Sequence, residues 1–329
     1  MLFRTLRSSP ALSLERYADI DHFRESERYA GAESIPLGTG EFSVLRARLA
    51  LPSCNLSLVR TFPRLINGFE MPGRMILVIP MDDVASTKVN GEPIGGHSLL
   101  LFKGNANCTV HEPEGRLVAI VSVPTAGQDL GWQDFGDGHL LMRLQPFQIA
   151  SLQRLIRNVL ELAAVQPDII RSPDMLQSLN TVLFAALDAA MCAGEIFGLQ
   201  RRRTMDRYKS ILDGIDAVIA VYPTEDLTCE SLAAELGVSV RTLQTATQSV
   251  CGAGAHHYSR LRRLWSVRRQ LRTGAAGLTV KASALANGFG HMGEFSGIYR
   301  YAFGETPSQT LARSRQTPVR RTYAALAPS

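Results

Sequence analysis

Arg241 and Gln244 stand three positions apart, and Gln248 follows four later. On a helix that spacing gathers them on one outward face, with Val240 and Thr245 at its margin. An arginine fork matches the paired acceptors on the edge of guanine, and a glutamine amide matches adenine. Each such pairing is worth roughly 1–3 kcal/mol of discrimination. A second cluster, His291, Met292 and Glu294, lies about 50 residues further on. Glu294 could accept from a cytosine amino group, or it could serve the first turn of its own helix through the helix dipole. Ser239, Arg262 and Arg300 are placed to meet backbone phosphates. Arg300 is equally suited to a salt bridge with Glu294 or Glu305.

Both clusters need a frame, and the flanking residues supply the same grammar twice. In the first, Leu232 and Ala233 sit on a short helix that opens near Thr228, Gly237 makes the turn and Val238 anchors it. Leu243 and Ala246 then face inward on the following helix. Ala233 is small where two helices cross steeply, Gly237 tolerates the left-handed backbone of a sharp stop, and Ser239 is an N-cap. In the second, Ala284 is the small crossing residue with Leu285 beside it. Gly288 turns, Phe289 anchors, and Phe295 with Tyr299 forms the buried face. The second turn is one residue longer. A helix carrying Tyr258, Leu261, Leu264, Trp265, Arg268 and Leu271 joins the two. About 16 residues at 1.5 Å each span roughly 24 Å, enough to hold two reading helices in successive major-groove windows of one duplex.

The run Gly288-Phe289-Gly290-His291-Met292-Gly293-Glu294-Phe295, with Tyr299-Arg300, Phe303-Gly304-Glu305 and Pro307-Ser308, resembles the DNA-binding domain of AraC/XylS-type transcription regulators. The resemblance covers about residues 205–313, and the wording of the second unit is similar to the branch that includes ethanolamine-operon regulators. It implies a transcription regulator, an activator by family habit, that binds promoter DNA and RNA polymerase. It also implies an N-terminal cupin-like β-barrel for a small effector, and a helical pair that commonly makes a homodimer. Two departures stand out: Thr245 where a basic residue is frequent, and Thr247 where a core aromatic is usual. Gly293 and Gly297 leave the second unit few long side chains, which suits recognition of DNA shape.

Charge divides in agreement with this. From residue 199 onward there are 18 Lys and Arg against 9 Asp and Glu, a net +9, whereas residues 1–198 carry 17 against 21, a net −4. The basic half should attract polyanions and the other should not. With 45% apolar and 20% charged residues a packed globular protein is expected. The five cysteines form no C-x-x-C pair, which argues against a disulfide framework and fits a reducing cytosol. No stretch is read as long and apolar enough to span a bilayer, and Met1–Pro10 lacks the features of a signal peptide. The expected location is cytoplasmic, on the nucleoid, with no membrane partner.

Residues 1 to about 125 read as β structure, with strands at 42–49, 56–60, 75–79, 98–102, 108–111 and 117–123 between turns such as Asn67-Gly68, Pro72-Gly73 and Asn90-Gly91. A sandwich or small barrel follows. Residues 126–145 read as a closing loop. Pro146 opens a helix striped by Leu152, Leu155, Ile156, Val159, Leu160 and Ala163. Ser172-Pro173 opens another, striped by Met175, Leu179, Val182, Leu183, Leu187, Ala190 and Met191. The pair either dimerises or packs on the barrel. The expected fold class is α+β: a β domain over 1–145, a helical pair over 146–193, a linker over 194–204 with the Arg201-Arg202-Arg203 run, the all-α DNA-binding domain over 205–313, and a frayed basic tail over 314–329. A helix with Tyr208, Ile211, Leu212, Ile215, Val218 and Ile219 on one face should pack under the first unit.

Arg46, Arg60 and His111 are candidates to line an effector pocket, or else are structural. His22, His97, His111 and His139 show no metal-ligand spacing, and no nucleophile triad, phosphate loop or dinucleotide fingerprint is present. No enzyme activity, metal or cofactor is expected. The rival to a DNA-binding regulator is a sensor or scaffold with a vestigial DNA-binding half.

Overall fold

The computed structural model describes residues 3, 6–27, 32–37, 42–82, 87–126, 136–197, 202–225 and 227–316. Its chain order is β1 (Leu12–Tyr17), α1 (Ile20–Glu27), β2 (Glu33–Pro36), β3 (Val44–Ala50), β4 (Asn55–Arg60), β5 (Arg64–Pro80), β6 (Lys88–Val89), β7 (Glu92–Pro93), β8 (Ser98–Glu112), β9 (Leu117–Pro124) and β10 (Gly138–Arg143). There follow α2 (Pro146–Val165), α3 (Pro167–Ile170), α4 (Pro173–Ala193), β11 (Glu195–Phe197), α5 (Arg202–Val221), α6 (Cys229–Glu235), α7 (Val240–Cys251), α8 (Ala255–Arg272), α9 (Val280–Leu285), α10 (Met292–Phe303) and α11 (Pro307–Gln316). The chain divides into two compact units, residues 1–210 with Gln248–Gly252, and residues 211–247 with 253–329.

In the first unit an antiparallel sheet runs in the order β1-β3-β4-β9-β5-β8-β10-β11, with β2 added on β5. Several of the expected strands are halves of longer ones. β5 continues through Asn67-Gly68 and Pro72-Gly73, where the register against β8 shifts and both glycines adopt positive φ. The two turn signals are thus irregularities in the ladder of a 17-residue strand, with the extra residue on β8 at the first and the extra residues on β5 at the second. Asn90-Gly91 is a true hairpin turn, both residues having positive φ between Val89 and Glu92.

The expected closed barrel is not formed. The end strands β1 and β11 do not pair with one another. The apolar face that closure would bury lies instead under helices: Leu12, Leu58, Leu77 and Val121 share one core with Ile156 and Leu160 of α2 and Leu183 and Leu187 of α4. Each such buried side chain contributes roughly 1.5–3 kcal/mol, so the helical pair satisfies the sheet without closure. This is the packing alternative for the pair. The α4 stripe is rotated from the expected one, since Val182 is half exposed and Asn180 and Phe184 are buried. Asn180 accepts from the Ser53 amide at 3.1 Å, which ties α4 to the β3–β4 turn and explains why a polar residue replaces an apolar one there.

Three further expectations need correction. α4 is 21 residues long and, by length and composition alone, apolar enough to cross a membrane; its inner face is in the core just described. The expected linker begins as strand β11, paired with β10 through Leu141 and Phe197, and residues 202–204 already belong to α5. The closing loop contains β10, which pairs with β8. The middle of both segments, with Arg201, and the tail from residue 317 lie outside the described residues.

In the second unit α5 presents Ile211, Leu212, Ile215, Val218 and Ile219 to the interior. Gly214 lets α6 come close: a Cβ there would stand 2.5 Å from Leu236. α8 is an 18-residue helix, about 27 Å long at 1.5 Å per residue. It runs through a core of Leu264, Val267 and Leu271 with Ala284, Phe295, Tyr299 and Leu311.

Candidate nucleic-acid interface

The two helix pairs, α6–α7 and α9–α10, are built alike. Thr228 caps α6 by accepting from the Ser231 amide at 3.2 Å, and Thr279 caps α9 by accepting from Ala282 at 3.0 Å. Both first helices stop on a positive-φ glycine, Gly237 and Gly288. In both, the next amide returns to the crossing alanine: Val238 to the Ala233 carbonyl at 2.9 Å, and Phe289 to Ala284 at 3.0 Å. Ala233 and Ala284 are buried beside Leu232 and Ser283 respectively. Leu285, expected as the apolar neighbour, is 45% exposed because it falls one position beyond that buried pair.

On α7, Ser239 caps the start by accepting from the Thr242 amide at 3.1 Å. Arg241, Gln244, Thr245 and Gln248 are exposed, whereas Leu243, Ala246 and Thr247 are buried. The outward row is as the spacing predicts, except that Val240 is half-buried and Thr245 gives its hydroxyl hydrogen to the Arg241 carbonyl at 2.7 Å. Thr247 keeps its hydroxyl satisfied by the carbonyls of Leu243 and Gln244, both at 3.2 Å.

On α10, His291 is the N-cap residue and is exposed, as are Gly293, Glu294, Gly297 and Arg300. Met292 is half-buried against the core, so it adds packing to the face. Glu294 pairs with Arg260 of α8. Glu305 pairs with both Arg268 and Arg313 at 2.9 Å. Among the described residues Arg300 makes neither of the ion pairs that the sequence allowed it. Arg262 is half-buried and donates through Nε to Asp216 on α5 at 2.8 Å, which makes it a clamp between helices.

Helical spacing alone places Arg268 on the same stripe as Leu264 and Leu271. It is 1% exposed, its guanidinium stacks 4.6 Å from the Phe303 ring, and it shares Glu305 with Arg313. The Tyr299 hydroxyl meets Thr310 Oγ1 at 2.9 Å, and Thr310 in turn donates to Glu305 at 2.8 Å. Burial pushes the Tyr299 phenol up to about 12. A charged residue at a buried helical position, matched by the Glu305 of the Gly-Glu-Thr-Pro-Ser motif, was the available signal.

Repeated capping, turn and crossing geometry thus frames two short helices whose outer faces carry polar groups. A family profile described as a helix-turn-helix domain matches residues 232–313. A probable thc operon regulatory protein of Rhodococcus erythropolis is 29% identical over 156 residues, which is 45% of this chain and 46% of that protein. A XylDLEGF operon transcriptional activator of Pseudomonas putida is 35% identical over 92 residues, 28% of this chain and 29% of that protein. The chain belongs to the AraC/XylS family. The matches span less than half the length of each of these two relatives. A solved probable AraC family transcriptional regulator from Rhodopseudomonas palustris is 34% identical, and the match covers 32% of this chain and 98% of that one with a TM-score of 0.29. The residues that the helix-turn-helix profile matches all lie in the helical C-terminal part of the chain.

The three effector candidates of the first unit are not brought together. Arg46 pairs with Val59 in register and Leu45 with Arg60, so Arg46 and Arg60 point to opposite faces; Arg46 is buried and Arg60 exposed. His111 is buried on β8, and among the described residues its Nδ1 has no hydrogen-bond partner. Burial holds the His111 imidazole below its usual range, Lys88 adds to this, and Glu112 opposes it. What the structure does gather is a cluster the sequence did not announce. Arg46 donates to Ser26 Oγ at 3.0 Å and lies 5.4 Å from the Phe23 ring centre, while Arg64 pairs with Glu112 at 2.7 Å and lies 5.9 Å from the same ring. Phe42 and Phe62 complete the aromatic side, 4.7 Å apart. Arginines at inward strand positions were the signal for it.

Proposed function

We propose that this AraC/XylS-type protein is a sequence-specific DNA-binding transcription regulator rather than an enzyme. The observation that carries the reading is the exposed row Arg241, Gln244 and Gln248 on α7, framed by a helix pair that recurs as α9–α10. Both pairs would be the helix-turn-helix readers of one promoter, with α8 as the spacer. Val240, Arg241, Gln244, Thr245 and Gln248 are assigned to base edges, with His291 and Glu294 from the second reader, where Met292 packs on the core beside them. Ser239 and Arg300 are assigned to phosphates, while Arg262, a candidate by sequence, is held by Asp216 and supports them from behind. The net +9 of the C-terminal part supports the polyanion partner.

The N-terminal sheet domain, over about residues 1–145, would hold a small effector. Of the three candidates Arg46 is the best supported, because it joins Arg64 and an aromatic cluster; Arg60 and His111 are secondary. The outer face of α4, where Thr181, Val182, Ala185 and Ala189 are exposed, suits a second copy of the chain, so a homodimer is part of the proposal. Effector binding would shift the population of promoter-competent arrangements, with RNA polymerase as the downstream partner, in the cytoplasm on the nucleoid.

Binding to the chain's own upstream region, followed by gel shift over a salt series, tests this. The affinity should fall steeply as salt rises. Arg241→Ala with Gln244→Ala should reduce the preference for specific over competitor DNA by about 2–6 kcal/mol if both make bidentate contacts. An unchanged preference would remove α7 as the reader and favour the sensor or scaffold reading.

A further inference from the structure

Beside the start of α10 lies a cleft of about 210 Å³ in the second unit, lined among others by His256, Arg260, Arg263, Phe289, His291 and Glu294. Its wall is shaped by the turn of the second helix pair. Gly288 has positive φ, and a Cβ there would stand 2.9 Å from Arg263 Nη1, so only glycine lets the guanidinium lie against the turn. Arg263 donates from its other terminal nitrogen to the Glu225 carbonyl, which fixes its place. Gly290 contributes no side chain, and a Cβ there would meet nothing within 4 Å, so the mouth stays open. The lining carries two guanidiniums and two imidazoles. Burial first, and then Arg260 and His256, hold the neighbouring His257 below its usual range.

Among the described residues that line the cleft, one is acidic. Glu294, third residue of the helix after the His291 cap, closes an ion pair with Arg260, and their side chains are 62% and 34% exposed. A carboxylate on a guanidinium occupies the place that a phosphate oxygen would take, since both accept the same forked donors. Because both partners are so exposed, the pair is weakly held and can be exchanged. The first turn of a reading helix is also where the walls of the major groove bring phosphates close.

We propose that this cleft is a phosphate seat for the DNA backbone flanking α10, and that Glu294 fills it with its own carboxylate until a phosphate displaces it. The proposal rests on the DNA-binding reading above. It adds Arg260 and Arg263 as the anchoring pair and gives Glu294 two positions. Bound to Arg260 it shields the seat from free anions; released, it is available to accept from a cytosine amino group.

The full-length protein, Arg260→Ala, Glu294→Gln and the double variant are compared for binding to the upstream duplex over a salt series. Arg260→Ala should lower the slope of log affinity against log salt by about 0.9, the value of one lost phosphate contact. Glu294→Gln should tighten binding about two- to fivefold, the worth of an exposed ion pair, with an unchanged slope. The double variant should bind no more tightly than Arg260→Ala. A gain from Glu294→Gln that persisted undiminished without Arg260 would mean simple field repulsion and would overturn the seat. A second arm titrates inorganic phosphate against the protein without DNA at constant ionic strength, following the histidine NMR signals. Glu294→Gln should respond and Arg260→Ala should not. If the wild-type cleft saturated with inorganic phosphate while Arg260→Ala left the DNA slope unchanged, the site would serve a free anion and the backbone assignment would be wrong. A protein that bound no DNA at any salt would instead overturn the regulator reading itself.

Discussion

The two helix pairs share caps, turn glycines and crossing alanines, yet differ in what their second helices offer. α7 presents Arg241, Gln244 and Gln248, long side chains with forked or amide donors. α10 presents Gly293 and Gly297, turns Met292 inward, and binds its one carboxylate to Arg260. The second pair is also the more heavily braced, by Arg268, Glu305, Arg313 and Tyr299 behind it. On the proposed reading both copies meet DNA, with α7 offering the longer side chains for readout and α10 the more firmly braced support.

That contrast can be broken at its strongest point. Arg268→Ala removes a buried guanidinium whose partner Glu305 stays behind, so it should cost about 3–5 kcal/mol. Urea unfolding followed by Trp265 fluorescence would show it, and hydrogen exchange should rise in α10 and α11 before α7. Equal protection loss in both pairs would mean that the bracing is not specific to the second.

A smaller difference is expected at the turns. Gly237→Ala meets nothing within 4 Å, so its cost should be only that of the left-handed backbone, about 1–2 kcal/mol. Gly288→Ala adds a contact with Arg263 at 2.9 Å and with the Pro223 carbonyl at 3.0 Å, and should cost about 1–3 kcal/mol more. Matching midpoints for the two variants would show that the cleft wall can give way. The smallest effect should be the most even: Thr228→Ala and Thr279→Ala each lose one capping bond and about 1 kcal/mol, measured as urea midpoints.

The helical half was legible because its signals are local. A glycine four residues after a small crossing residue, followed by an apolar anchor, specifies a turn whatever lies around it. Hence Ala233–Gly237–Val238 and Ala284–Gly288–Phe289 came out as expected. Leu285 did not, since the pattern does not say which flank of the alanine faces inward. The sheet half was less legible. Asn67-Gly68 and Pro72-Gly73 carry turn chemistry, but cross-strand pairing with β8 holds β5 extended through both, and only the register reveals the irregularities. Closure of the sheet is likewise non-local: whether β1 meets β11 depends on α2 and α4 reaching the apolar face first. Arg46 was picked out by its charge, but its company of Arg64, Phe23 and Phe62 is assembled from four separate segments, α1 and three loops or strands, and no spacing along the chain encodes it.

The Glu305 carboxylate accepts from Arg268, Arg313 and Thr310 at once, and two of those donors come from α11, the last described helix. Fragments of the protein are therefore not freely divisible here. A piece that stopped after Gly304, although it would keep both reading helices intact, would leave the Arg268 guanidinium in an apolar interior without its counter-ion. Any version intended for solution or crystallographic work on the DNA-binding half should run at least through Arg313, so that the helix behind the readers is present to neutralise the charge at their back.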